Sequence, residues 1–226
     1  MQNEVQLSND EVKETRSRER TRARLLEAAL TVFAEHGVPG ASIEIITEAA
    51  GFTRGAFYSN FESKEELFFE LSEVQGAEAL TKLKATVAEL SSRFASGEVN
   101  SLSKEGISRL VDAILTVQFS EPRWYIVQIE FKLFALRDRE AAKQLLRTQD
   151  KFFAEVSRVV ESALDAVGLE FTIDPAVASS VLIHSYITAL ETAILNDRRD
   201  IVQAAQKIAM RSLPELVNSL TRPKHA

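Results

Sequence analysis

Apolar residues recur at helical spacing in segment after segment of this chain, and each stretch is bounded by a capping side chain, a glycine or a proline. The first stretch, about residues 20 to 36, sets Leu25, Leu26, Ala29, Val32 and Phe33 on one stripe, with Gly37 as its stop. Ser42 is the N-cap expected for a short helix over 43 to 50, which Gly51 breaks. Thr53 caps the next, ending near Asn60 or Phe61, and Phe52 and Phe57 stand at the spacing of a hydrophobic staple. Ser63 and Glu66 form a capping box that opens a helix continuing brokenly to about Phe94. After a loop over 96 to 103, helices are expected at about 104 to 120, 123 to 136, 138 to 167, 175 to 196 and 198 to 220. Pro122, Asp138, Gly168 and the Asp174-Pro175 pair mark their limits, and Pro214 predicts a bend in the last. Strand-like alternation is nowhere sustained. The expected fold class is all-α: three short helices containing a helix-turn-helix, followed by a larger helical bundle.

Composition narrows the chemistry. With 226 residues, 45% of them hydrophobic, the chain is long enough for one or two domains with a sizeable core. It contains no cysteine, which excludes a disulfide framework, a thiolate metal site and a cysteine nucleophile. His36, His184 and His225 are dispersed, so no metal site and no cofactor are expected, and no catalytic motif stands out after about residue 75. The start of the chain lacks the pattern of an export leader, and no uninterrupted apolar run reaches about 18 residues. A cytoplasmic location is the expectation.

The net charge of −6 works against indiscriminate adhesion to polyanions. Locally the sign reverses: Lys13, Arg16, Arg18, Arg20, Arg22 and Arg24 face only Glu14 and Glu19, a local +4. The arginines fall at every second residue, which scatters them around a helix or lines them along one side of an extended arm. An arm could enter a narrow minor groove. A frayed, solvated helix start is the other reading of the same residues.

Two short helices joined through Ala50-Gly51-Phe52-Thr53 make a helix-turn-helix, whose second helix can enter the major groove. Once Phe57 and Phe61 are assigned to the core, Arg54, Gly55, Tyr58, Ser59 and Asn60 remain outward, a donor-rich set with one residue small enough for close approach. Lys64 lies in the first turn of a helix, where a cation opposes the macrodipole. A phosphate would make that placement favourable; offset by Glu65 and Glu66 is the alternative.

The run Ala49-Ala50-Gly51-Phe52-Thr53-Arg54-Gly55-Ala56-Phe57-Tyr58-Ser59-Asn60-Phe61-Glu62-Ser63-Lys64-Glu65-Glu66-Leu67 resembles the DNA-binding domain of the TetR family of bacterial transcriptional repressors. The likeness extends upstream through Phe33-Ala34-Glu35-His36-Gly37 and Ser42, over about residues 20 to 70. The resemblance implies that Tyr58 and Lys64 hold backbone phosphates, with similar roles for Ser42 and Thr53. It further implies that Arg54, Gly55, Ser59 and Asn60 face or approach base edges, Arg54 being the candidate for bidentate reading of a guanine. Ala41 departs from a common Ser or Thr, and Thr47 from a usual Ala. The domains expected are a flexible arm over 1 to 15, the DNA-binding domain over 16 to 70, and an effector-binding and dimerisation domain over 71 to 226.

In the larger region, Trp124 to Leu136 is apolar nearly all round, yet Glu130 sits inside it. A carboxylate there must be paired or face a cavity, so Glu130, Trp124, Tyr125 and Phe131 form a candidate effector site, although aromatics at this spacing also make plain core. His184 is read as a core or interface histidine or as a fifth effector contact. From Ala176 to Ala193 small residues alternate with large apolar ones, which suits close helix approach. With the final helix this segment would form a four-helix homodimer contact, as the resemblance also implies. The function expected is a non-enzymatic repressor that leaves a palindromic double-stranded operator when a small molecule binds. The alternatives are a constitutive DNA-binding architectural protein without a ligand, and an enzyme or carrier with a vestigial helix-turn-helix.

Overall fold

The structure is a computed structural model and describes residues 9 to 96, 122 to 196 and 200 to 224. Nine helices are formed among the described residues. In chain order they are α1 (Asn9–Gly40), α2 (Ile43–Ala50), α3 (Arg54–Tyr58), α4 (Lys64–Ala95), α5 (Pro122–Ala135), α6 (Arg139–Ala166), α7 (Pro175–Leu195), α8 (Ile201–Ala209) and α9 (Leu213–Leu220). The chain is all-α in class. The helix expected over 104 to 120 lies outside the described residues.

The caps expected from sequence set the boundaries of the short helices. Ser42 accepts from Ile45 N–H, Thr53 from Ala56 N–H, and Asp174 from the N–H groups of Ala176 and Val177. Gly51 closes α2 in the left-handed region at φ 71°, which L-residues with a Cβ rarely adopt. Gly37 interrupts α1 with φ 66° and ψ 167°, and a Cβ added there would lie 2.6 Å from Glu130 Oε2. The positive φ is what favours glycine at that position, since the end of the Glu130 side chain can move aside. At the start of α4, Ser63 Oγ accepts from Glu66 N–H, whereas the Glu66 carboxylate reaches Glu62 N–H, one residue beyond a capping box.

Three expectations are corrected. Residues 9 to 15, read as part of a flexible arm, belong to α1. The helix expected over 198 to 220 divides into α8 and α9, with the break at 210 to 212 and Pro214 in the first turn of α9. Proline has no N–H to continue the ladder and its ring opposes the carbonyl four residues back, so a helix ends before it. Finally, after Gly168 turns at φ 74°, a strand β1 (Leu169–Phe171) pairs antiparallel with β2 (Thr221–Pro223). Three residues are too few to show as alternation, and the pairing partner lies far along the chain.

The chain divides into two compact units. The first comprises the described residues up to Val74 together with Arg123–Leu145. Its core is formed by Leu25, Ala29, Phe33, Ile46, Phe57, Phe61, Leu67, Phe68, Val127 and Phe131, all sealed from solvent or nearly so. Phe68 and Phe131 stack with centroids 3.6 Å apart, and Trp124 stacks on Phe68 at 5.7 Å. The sequence division at 70/71 placed α5 with the bundle, but its aromatic face packs into this first core instead. Packing follows proximity in space, which chain order does not report.

The second unit takes in the described residues of Gln75–Pro122 and Leu146–Ala226. Ala178, Ser179, Ile183, Tyr186, Ala189, Leu190 and Ala193 make the buried stripe of α7, and Ser179 bonds the buried Ser157 of α6 at 3.3 Å. α7 is long and apolar enough to span a membrane by length and composition alone. A helix packed inside a bundle passes the same test, and α7 packs against α8 and α9. Lys224 N–H donates to Gly168 O, and ion pairs Arg222–Glu170 and Lys224–Asp165 flank the β1–β2 ladder.

Candidate nucleic-acid interface

The geometry of the first unit sorts the expected site residues into three groups. Arg54, Gly55, Tyr58 and Ser59 lie exposed on α3 and at its end, with Thr53 exposed just before it. Tyr58 is 52% exposed, although its ring leans edge-on against the buried Phe57 at 5.5 Å. An aromatic held by packing on one side and open on the other, with a hydroxyl at its tip, is suited to a phosphate. Gly55 carries no side chain that would hold a partner away from the helix.

Ser42 and Thr53 are occupied as caps, so their hydroxyl oxygens already accept one backbone N–H each. The Thr53 hydroxyl hydrogen is not used by its cap bond and can donate to a phosphate oxygen, whereas the Ser42 hydroxyl also serves the Glu44 carboxylate. Asn60 departs from the outward set: it is half-buried, its amide nitrogen donates to Ala56 O at 2.7 Å, and its Oδ1 is buried without a partner. Here the side chain terminates α3, because Asn60 lies where the chain turns inward to seat Phe61. Lys64 is also anchored, its Nζ donating to Val38 O at 3.0 Å. That bond ties the start of α4 to the end of α1, a third explanation for a cation in a first turn. Two further ammonium donors remain.

The arginine run is helical, so an extended arm does not describe it; it is the start of α1, and Arg16, Arg18, Arg20 and Arg24 are exposed, as the solvated reading expects. Arg18 donates to Ser59 O at 3.1 Å, and Arg22 donates to Asn60 O at 2.5 Å. Arg22 also grips the Glu70 carboxylate with Nε and Nη2 and lies 4.4 Å from the centre of the Phe61 ring. Arg24 covers the turn, 4.8 Å from the centre of the Phe52 ring. Thus α1 holds the carboxyl end of α3 and the turn before it through cations whose targets are carbonyls and rings. The reading of the run as a DNA arm misses this. The available signal is spacing: Arg18, Arg22, Leu25 and Ala29 fall at helical intervals on one side.

Arg54 Nη1 meets Glu44 Oε1 at 2.7 Å, and the guanidinium lies 5.9 Å from the Tyr58 ring centre. The Tyr58 hydroxyl and the Glu44 charge hold the arginine pKa above its ordinary value. Glu44's own backbone N–H, the Ser42 hydroxyl and Arg54 hold the carboxyl below the usual carboxylate range. Nothing in the sequence pattern signals that Arg54 has a partner. Of the two departures, Thr47 is buried with Oγ1 donating to Glu44 O, and Ala41 is sealed in the core.

The residues expected to line an effector site fall in both units. Phe131 is fully covered and Trp124 packs on Phe68, so these two serve packing in the first unit, and Tyr125 is buried. Glu130 is half-buried with its carboxylate against Gly37. His184 belongs to the second unit, where it is exposed on α7 with Nδ1 2.8 Å from Ser180 O, not a core histidine.

A three-helix unit whose second and third helices meet at a glycine turn, with a donor-rich outward face on the third, is a DNA-binding module of a transcriptional regulator. Residues 25–71 match the family described as bacterial regulatory proteins, tetR family. The chain is 31% identical over 150 residues to the HTH-type transcriptional regulator YfiR of Bacillus subtilis, covering 66% of this chain and 67% of that one. It is 39% identical over 69 residues to the HTH-type transcriptional repressor AcnR of Corynebacterium efficiens, 30% of this chain and 35% of that one. In fold it is similar to the transcriptional regulator FadR of Bacillus subtilis solved in complex with stearoyl-CoA, with a TM-score of 0.62 and 16% identity, covering 84% of this chain and 98% of that one. The chain belongs to the TetR family of DNA-binding transcriptional regulators.

Proposed function

We propose that this regulator is a repressor that binds a palindromic operator as a homodimer and leaves it when a small molecule binds. The observation that carries the DNA contact is the split of α3: Phe57 is sealed in the core while Arg54, Gly55, Tyr58 and Ser59 stay exposed. In this reading Tyr58, Ser42, Thr53 and Lys64 hold phosphates, and Arg54, Gly55 and Ser59 approach base edges. Asn60 contributes by holding the end of α3. A two-fold dimer through α7 and the last helices would set half-sites about 34 to 36 Å apart or a multiple of that.

Repression is supported by the likeness to AcnR, and a small-molecule effector by the likeness in fold to FadR with its stearoyl-CoA. The effector contact proposed for this chain leaves out Phe131, whose ring is fully covered, and in the first unit retains the half-buried Glu130 as its polar candidate. Fluorescence anisotropy on duplexes enriched from a random-sequence pool, at two stated salt concentrations, tests the DNA face. Tyr58→Ala and Lys64→Ala together are expected to weaken binding and flatten its salt dependence, since each removes a phosphate contact. Equal affinity and slope for the variant and the wild type would overturn the assignment.

A further inference from the structure

We propose that Arg16, Arg20 and Arg24 form a second nucleic-acid contact, a stripe on α1 that holds the phosphate backbone beside the groove entered by α3. The inference rests on the reading of α3 as the groove-entering helix. From Ser42 to Asn60 the chain carries two acids, Glu44 and Glu48, and one base, Arg54, so the helix-turn-helix itself is net −1. Its one base is paired with Glu44, and the whole chain is net −6. Attraction to a polyanion must therefore come from charge placed beside these two helices.

That charge lies on α1, where helical spacing sorts it into two faces. Arg18 and Arg22 share the side of Leu25 and Ala29 and are engaged, the first by Ser59 O and the second by Asn60 O and Glu70. Arg16, Arg20 and Arg24 fall at intervals of four on the other side, and all three are exposed. Among the described residues none of the three is in an ion pair, although Glu19 and Glu27 stand close in sequence.

The place of the stripe follows from what its neighbours touch. Arg18 reaches the end of α3 at Ser59 O, and Arg24 lies 4.8 Å from the centre of the Phe52 ring in the turn before α3, so this stretch of α1 runs alongside α3. Arg24 Nη2 also lies 3.2 Å from where a Cβ on Gly51 would stand, which brings one end of the stripe to the turn leading into the exposed Thr53 and Arg54. Contact with the Phe52 ring uses the face of the guanidinium and leaves its N–H donors for phosphate oxygens. Packed helices stand about 8 to 10 Å apart, and the major groove is about 12 Å wide. With α3 in the groove, a helix at that spacing lies over the phosphate wall rather than over base edges.

The test measures affinity across a salt series on two probes: duplex enriched by the wild-type protein from a random-sequence pool, and the unselected pool. Arg16→Gln/Arg20→Gln/Arg24→Gln is expected to weaken both by at least about tenfold at roughly 0.1 M salt, and to lower the slope of log affinity against log salt by about 2 to 3. The ratio between the probes is expected to hold within about twofold, because phosphates carry no sequence. Arg16→Gln/Arg20→Gln keeps the Arg24–Phe52 contact and should lower the slope by about 2 with an unchanged denaturation midpoint, which separates lost phosphate contacts from lost folding. Arg20→Lys should keep the slope, since the charge remains. An unchanged slope in both arginine variants while Tyr58→Ala/Lys64→Ala lowers it overturns the inference and leaves the DNA reading intact. A probe ratio that collapses with the slope unchanged overturns it too, since the arginines would then serve base reading. If the wild type enriches no duplex and binds neither probe, the DNA reading falls and the inference falls with it.

Discussion

The two units are held together by different kinds of contact. In the first, charged side chains reach across long stretches of sequence to particular backbone atoms: Arg18 to Ser59 O, Arg22 to Asn60 O and Glu70, Lys64 to Val38 O. In the second, most described hydroxyls bond within their own helix, as Ser185, Thr188 and Thr192 do to carbonyls four residues back. Its helices meet instead through small and aliphatic residues, with directional cross-links gathered at Ser157–Ser179 and the β1–β2 ladder. Directional bonds demand particular residues at particular places, whereas apolar burial is roughly proportional to area and accepts many sequences.

The largest expected effect breaks the first unit's core. Phe131→Ala should destabilise that unit by about 3 to 5 kcal/mol, because it removes a sealed ring stacked on Phe68. Chemical denaturation followed through Trp124 would show it; a neutral result would return Phe131 to the effector candidates.

Arg22→Ala comes next, at about 2 kcal/mol, since Glu70 and Asn60 O lose a charged partner together. Arg22→Lys should recover only part of this, because an ammonium has no fork to span both carboxylate oxygens. If lysine restores full stability, the first unit's contacts are less directional than the comparison holds.

Ser42→Ala, which removes the α2 cap, is expected to cost about 1 kcal/mol. Hydrogen exchange at Ile45 and Ile46 is the sensitive readout, as the loss should concentrate in α2. Protection falling equally throughout the first unit would show that its helices do not open separately.

The smallest effects are in pH, and Glu44 and Lys224 respond with opposite sign. Glu44 has a lowered pKa, so its small stabilising contribution is present above about pH 4.5 and fades as pH falls through the lowered value. Lys224 has a raised pKa from its bond to Asp165, so its contribution is present below about pH 10.5 and fades as pH rises through the raised value. NMR titration of the Glu44 carboxyl and the Lys224 ammonium would check both directions.

Features that depend on neighbours within three or four residues are legible in the amino-acid sequence alone. The limits of α2 and the caps at Ser42, Thr53 and Asp174 are of this kind, and so is the stop at Gly37. Each is a bond or a backbone angle within a single turn, so residue type and spacing decide it. Part of the outward set on α3 is also readable, since placing Phe57 inward leaves Ser59 on the opposite side by helical geometry.

What a side chain meets across the fold is decided only when the chain closes. Arginines spaced by two residues give no hint of Ser59 O or Glu70, although Arg22 shares the helical face of Leu25 and Ala29. Helical spacing puts Asn60 outward, yet its amide turns back to Ala56 O; chain order puts α5 in the bundle, yet Phe131 stacks on Phe68. The partner of Arg54 stands on a different helix, ten positions earlier in the chain. Local bonds are encoded in local order, but a long side chain can reach any of several partners, and only the packed tertiary arrangement selects one.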